Sequence, residues 1–234
     1  MVSDNIRHIS ETAAAACIQA ARDPGSVTLI AVGKTFPPEM ILEAVHAGVL
    51  DIGENYVQEV IGKRDVLKDD RIRWHFIGHL QSNKVKYIAE WVTLIHSVDN
   101  ARCAEEIQRH ALRLGRTIDI LVEVNTSAEA TKFGVHPEQA VEFVRSIAAY
   151  PNICVKGLMT IGPFTDESAS SRASFRLLRS LRDEMNAQHV TRVPMTELSM
   201  GMTHDYRIAI EEGSTMIRIG TAIFGLRVKK ADGG

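Results

Sequence analysis

Short β-branched runs alternate with longer segments of helical spacing along the chain. Most of the short runs are continuous apolar stretches, which is typical of parallel strands that are covered on both faces. Eight such strands are predicted, at residues 27–32, 49–53, 74–78, 94–98, 118–125, 155–161, 197–201 and 216–220. A strict alternation of strand and helix predicts an α/β fold with a parallel sheet.

The segments between the strands follow the start and stop rules of helices. Residues 37–47 begin with two prolines, carry Met40, Ile41 and Ala44 on one face, and stop at Gly48. Similar patterns cover 55–67, 82–90, 100–114, 137–149, 168–187 and 204–212, and an extra helix at 4–22 precedes the first strand.

Eight strand–helix units within 234 residues predict a (β/α)8 TIM barrel with an extra N-terminal helix, as one domain over residues 1–234. A doubly wound sheet is the alternative. That fold normally uses fewer strands and a glycine-rich first turn, which this sequence lacks.

The amino-acid composition argues against two classes of binding partner. The chain has 27 Lys and Arg against 29 Asp and Glu, a formal net charge of −2, with both signs mixed along its length. Such a chain is a poor partner for nucleic acid or an anionic membrane. The three cysteines lack metal-type spacing, and no apolar stretch reaches the length of a signal peptide or a membrane span. We therefore expect a cytoplasmic protein without a metal site.

In a TIM barrel the active site lies at the carboxyl ends of the strands, and phosphate is often bound after the seventh and eighth strands. Gly201 and Gly220 stand at those positions and permit close backbone approach. Ser199 and Thr221 add hydroxyl donors beside them. The pattern predicts a phosphate site, although tight turns alone would also account for the glycines. No P-loop or GxGxxG motif supports a nucleotide.

Lys34 follows the first strand, where the chain enters the barrel mouth. Partial desolvation favours the neutral, nucleophilic form of an amine, which a Schiff base with a carbonyl requires. A lysine that merely extends to solvent is the alternative. A lysine nucleophile together with a phosphate site indicates a phosphorylated aldehyde or ketone, such as pyridoxal phosphate or a sugar phosphate.

Several longer motifs carry a family resemblance. They are residues 31–35 (AVGKT), 53–59 (GENYVQE), 74–84 (WHFIGHLQSNK), 157–160 (GLMT), 198–202 (LSMGM) and 213–225 (GSTMIRIGTAIFG). From about residue 28 to 225 the chain resembles the YggS/PROSC family of pyridoxal-phosphate homeostasis proteins. The resemblance implies a single-domain barrel related to the N-terminal domain of alanine racemase.

The resemblance also implies a role for each site residue. Lys34 would hold pyridoxal 5′-phosphate as a Schiff base, and Asn55 would lie close to its ring. The phosphate cradle would contain Ser199, Gly201, Gly220 and Thr221. Arg218 would lie near the pyridine nitrogen, where a cation disfavours protonation and weakens the ring as an electron sink. The implied protein is a monomeric, non-catalytic carrier in vitamin B6 homeostasis, with pyridoxal-phosphate-dependent apoenzymes as further partners.

Two classes of enzyme are the alternatives to this carrier role. An amino-acid racemase would need an opposing catalytic tyrosine from a second domain, and the chain stops about ten residues after the eighth strand. An aldolase-type enzyme using Lys34 has no support from the long motifs. Phe36 stands where some relatives carry a second lysine, and Lys132, in the loop after the fifth strand, is a candidate for transient contact with the cofactor.

Overall fold

Eight parallel strands close into a barrel in chain order in the structure, a computed structural model that describes residues 1–127, 129, 132–163, 165 and 167–226. The strands are β1 Thr28–Val32, β2 Asp51–Glu54, β3 Arg73–Phe76, β4 Leu94–Val98, β5 Ile118–Glu123, β6 Ile153–Met159, β7 Glu197–Ser199 and β8 Met216–Ile219. Closure comes from β1 and β8, with Leu29 opposite Ile217 and Ala31 opposite Ile219. The predicted (β/α)8 barrel is confirmed. Strand ends differ by two residues at most, as at β6, which runs 153–159 instead of 155–161.

Helices surround the strands. They are α1 Val2–Gln19, α2 Pro38–His46, α3 Val57–Leu67, α4 Ala101–Leu114, α5 Pro137–Ala148, α6 Ser168–Ala187, α7 Tyr206–Glu211 and α8 Thr221–Phe224. Local signals set their ends: Asn100 Oδ1 accepts from the Cys103 N–H at the start of α4, and Gly115 ends that helix in the left-handed conformation. The extra N-terminal helix is present, and α1 packs against α7 and α8. Among the described helices, none combines the length and apolarity that crossing a membrane requires.

One predicted helix is wrong in type. Residues 82–90 do not form an α-helix, because the connection between β3 and β4 is a 3₁₀ helix, Ser82–Tyr87. Its turns close through bonds such as Ile88 N–H to the Val85 carbonyl. These tighter turns place Val85 and Ile88 together in the core, where both are fully buried.

Two apolar regions hold the barrel. The large one lies between the strands and the surrounding helices, and α6 contributes Phe175 and Leu178 to it, both fully buried. The small one lies inside the barrel and contains Leu94, Leu121 and Met159, with Ile161 and Met216 packed against them. The rest of the barrel interior is therefore open to polar side chains.

Phe175→Ala tests the outer core. We expect a loss of about 3–5 kcal/mol in the free energy of unfolding, because the side chain is fully buried and its removal leaves a cavity. Leu177→Ala on the same helix is the control, since Leu177 is 38% exposed and should cost far less. Equal losses in urea unfolding would contradict this packing.

Candidate functional site

A chain of hydrogen bonds between buried side chains runs through the barrel interior. Asp51 Oδ1 lies 2.9 Å from His75 Nε2, and His75 Nδ1 lies 2.9 Å from His96 Nε2. His96 Nδ1 in turn lies 2.9 Å from Ser199 Oγ, which accepts from Arg218 Nη1 at 2.6 Å. Asp51 begins β2 and Ser199 ends β7, so the chain leads from the amino end of the barrel to its carboxyl end.

The direction of donation in this chain follows from its two ends. The Asp51 carboxylate accepts from His75 Nε2–H, so His75 Nδ1 accepts from His96 Nε2–H and His96 Nδ1 accepts from the Ser199 hydroxyl. Burial holds the pKa of His96 well below its usual value, and the nearby Arg218 cation lowers it further. His96 is therefore neutral, and the proton arrangement along the chain is assigned from the hydrogen-bond network.

Arg218 occupies the upper end of this chain. Its guanidinium is buried and donates a second bond, from Nη2 to the Thr160 carbonyl at 2.8 Å. Burial lowers the pKa of Arg218 to about 10, while the charges of Glu123 and Asp205 oppose that shift. The side chain therefore remains a cation at neutral pH.

Glu123 ends β5 beside this cation. Burial, reinforced by the charge of Asp99, raises the pKa of Glu123 to about 7, although Arg218 lowers it. The sequence analysis did not single out Glu123, because the charged groups that act on it lie elsewhere in the chain: Asp99 follows β4 and Arg218 lies on β8.

Glycines shape the turns after β7 and β8. Gly201 has a φ of +94°, and a Cβ there would lie 2.5 Å from the Ala209 Cβ. A Cβ on Gly220 would lie 3.3 Å from the Val32 carbonyl oxygen, so the β8 turn packs against the end of β1. Thr221 begins α8, whose first N–H groups have no partner inside the helix. Both turns therefore pack closely against neighbouring elements.

Lys34 and Asn55 lie side by side at the barrel mouth. Val32 on β1 is paired with Gly53 on β2. Lys34 follows Val32 by two positions, and Asn55 follows Gly53 by two positions. Lys34 is half-buried. Asn55 Oδ1 is buried and has no hydrogen-bond partner within the described chain. Asn55 also lines a cavity of about 440 Å³, whose other described lining residues include Gly78 and His79 but not Lys34. An acceptor left without a donor is costly, and a bound ligand would satisfy it.

These positions bring the predicted site residues to one end of the barrel. Val32, the last residue of β1 before the Lys34 turn, lies close to Gly220. The Gly201 carbonyl accepts a hydrogen bond from the backbone N–H of Arg218 at 3.0 Å. The Ser199 hydroxyl, predicted as a phosphate donor, is bonded to His96 and Arg218 in the interior. Lys132 Nζ donates to the Glu129 carboxylate and to the Gly162 carbonyl.

A second group of residues was missed by the sequence reasoning. Lys63 Nζ donates to the Gly33 carbonyl at 2.7 Å and to Glu54 Oε1 at 2.6 Å, and it lies 3.4 Å from Glu59 Oε2. Burial raises the pKa of Glu54 to about 7, although Lys63 opposes the shift. The spacing of Glu59 and Lys63, four residues apart on a helix, was the available signal.

The cysteines, histidines and carboxylates do not form a metal centre in the described ranges. No group of three or more of these side chains there could hold an ion. His75 is engaged in the interior chain, while His79 stacks on Phe133 at 4.0 Å between ring centroids.

Comparison with known proteins gives consistent matches. The family model of the alanine racemase N-terminal domain matches residues 5–228. The pyridoxal phosphate homeostasis protein of Aquifex aeolicus is 44% identical over 96% of this chain and 97% of that protein. The crystal structure of an unknown protein from Bifidobacterium adolescentis superposes with a TM-score of 0.89, at 40% identity over 95% of this chain and 94% of the other. PipY of Synechococcus elongatus, solved with PLP bound, gives a TM-score of 0.83, at 34% identity over 96% of this chain and 100% of the other.

Asp51 makes the stability of the barrel depend on pH. Burial alone raises the pKa of Asp51, but hydrogen bonds from His75 and Arg73 outweigh it and lower the value to about 2. A carboxyl whose folded pKa is depressed stabilises the fold above its unfolded pKa and loses that effect as pH falls through the folded one. We expect the wild type to exceed Asp51→Asn by about 2 kcal/mol at pH 5 and the gap to close towards pH 2.

Urea unfolding at a series of pH values measures that gap. Asp69→Asn is the control, because Asp69 also has a pKa of about 2 but is paired with Arg71 at the surface, where solvent screens the charge. A gap for Asp51 that stays constant between pH 5 and pH 2 would contradict the network.

Proposed function

The chain belongs to the alanine racemase N-terminal domain family and, within it, to the pyridoxal phosphate homeostasis proteins, and on that basis we propose that it binds pyridoxal 5′-phosphate in the barrel mouth. The proposal is carried by one observation: Lys34, the Asn55 Oδ1 without a hydrogen-bond partner and the Gly220 turn all lie at the carboxyl end of the barrel. An amine, a buried acceptor and an anion-binding turn fit a phosphorylated aldehyde.

Each residue then has a distinct task. Lys34 Nζ would attach the aldehyde as a Schiff base, and backbone N–H groups at Gly201, Gly220 and Thr221 would receive the phosphate. Ser199 accepts a hydrogen bond from Arg218, whose cation would lie beside the pyridine nitrogen. When bound, pyridoxal phosphate supplies a carbonyl for reversible attachment to an amine.

The same arrangement favours retention of the cofactor over catalysis. A permanently charged arginine disfavours a proton on the ring nitrogen, and an unprotonated ring is a weaker electron sink. We therefore assign the protein a non-catalytic role in vitamin B6 homeostasis, as a cytoplasmic monomer that exchanges the cofactor with pyridoxal-phosphate-dependent apoenzymes. Amino-acid racemisation is the second candidate, because the matching family model is that of a racemase domain.

Borohydride trapping tests the attachment point. Incubation with pyridoxal 5′-phosphate, reduction and peptide mass spectrometry should place the adduct on Lys34, because this lysine follows β1 next to the end of β2 that leads into Asn55. Lys34→Ala should abolish the adduct. Lys132→Ala should keep it at wild-type stoichiometry, and an adduct on any lysine other than Lys34 would refute the assignment.

Hydrogen exchange tests the non-catalytic role. Loaded protein incubated with D- or L-alanine in deuterated water should leave the α-proton signal unchanged by NMR, since the Arg218 cation keeps the ring weakly activated. An alanine racemase run in parallel shows that the assay detects exchange. Steady loss of the α-proton signal over many turnovers would establish the racemase instead.

A further inference from the structure

Lys34 lies in a turn whose backbone is strained. The Phe36 N–H donates to the Gly33 carbonyl at 3.0 Å, which closes a four-residue turn around Lys34 and Thr35. Thr35 has a φ of +69°. A positive φ at the third position of a turn normally requires glycine or asparagine, and a β-branched residue there is a real outlier. Such strain persists only where the surroundings hold it.

Two charged side chains contact the backbone of this turn, one before Lys34 and one after it. On one side Lys63 Nζ donates to the Gly33 carbonyl at 2.7 Å. On the other side the Thr35 N–H donates to Glu59 Oε2 at 2.8 Å. Lys63 joins the two contacts, because its ammonium also bonds Glu54 and lies within 3.4 Å of Glu59. The backbone groups before and after Lys34 are thus fixed by one cluster.

The position of this cluster leaves the turn little freedom. The Lys63 side chain is 7% exposed and Glu54 is fully buried. Glu54 also fills the space beside Gly33, where a Cβ would lie 2.6 Å from its Oε1 and 2.6 Å from Ile41 Cδ1. Burying such charges is costly and is weak evidence for a gain in stability, so a role in local geometry explains the arrangement better.

We propose that Glu54, Glu59 and Lys63 form a positioning cluster, which holds Thr35 in its left-handed conformation and thereby directs the Lys34 amine into the barrel mouth. This inference rests on the proposed function, in which Lys34 attaches the cofactor. It assigns Glu59 and Lys63, on α3, to that site as positioning residues that act through the backbone on either side of Lys34.

Glu59→Ala is the first test. The variant removes the acceptor of the Thr35 N–H from a side chain that is 31% exposed, so the barrel should still fold and Tm should change little. We expect covalent loading with pyridoxal 5′-phosphate to slow about tenfold or more, because small displacements of a reacting group have large effects on rate. Glu106→Ala is the matched control: Glu106 is 28% exposed and pairs with Arg109 on α4, far from the turn in sequence.

Thr35→Gly separates positioning from a general structural effect. Glycine adopts a positive φ without strain, so it should need no holding contact. We expect Glu59→Ala/Thr35→Gly to recover most of the lost loading rate, and Thr35→Gly alone to load like the wild type. A general loss of structure would not be rescued by this second change.

The apoprotein provides a readout that needs no cofactor. Acetylation of Lys34 by acetic anhydride, measured by mass spectrometry against the exposed Lys86 in the same digest, should change in Glu59→Ala and return in the double variant. Wild-type loading and acetylation in Glu59→Ala, or no rescue by Thr35→Gly, would overturn the positioning role. If wild-type protein fails to load at all, the proposed function is wrong, and the acetylation pattern still decides whether the cluster positions Lys34.

Discussion

A buried guanidinium brings five N–H donors and a charge that it cannot lose near neutral pH, so the side chains around it must supply acceptors. Arg218 meets this requirement with the Ser199 hydroxyl and the Thr160 carbonyl. The Ser199 hydroxyl donates its hydrogen bond to His96 and accepts one from Arg218. His96 donates in turn to His75, and His75 donates to Asp51. This requirement explains why part of the barrel interior is polar while the rest is closed by leucine and methionine side chains.

The same arginine connects the parts of the mouth. The backbone N–H of Arg218 donates to the Gly201 carbonyl, and this bond holds the β7 turn against β8. Two residues later Gly220 packs against Val32, the last residue of β1 before the Lys34 turn. The β7 turn, the β8 turn and the end of β1 before Lys34 are therefore in close backbone contact.

Local patterns predicted the strands and the glycine turns after β7 and β8, because each is decided within a few residues of sequence. The interior chain was not predictable, since polar residues inside fully buried strands such as His75 and His96 give no periodic signal. Lys63 was missed for another reason: its partners Gly33 and Glu54 are 30 and 9 residues away, and only the barrel brings them together. Residues 82–90 showed helical spacing, but the pattern did not distinguish an α-helix from the tighter 3₁₀ turns that form.

The Arg218 guanidinium keeps its positive charge at neutral pH. A pKa of about 10 leaves well under one per cent of the guanidinium neutral at pH 7, despite its burial. Burial raises the pKa of Glu123 to about 7, so this carboxyl changes its charge near neutral pH while the arginine stays cationic. If pyridoxal phosphate binds as proposed, with its ring nitrogen beside this cation, that nitrogen would stay unprotonated and the bonds of an attached amine would be only weakly activated. The proposed attachment through Lys34 would still be reversible, because exchange of one amine for another needs no electron sink.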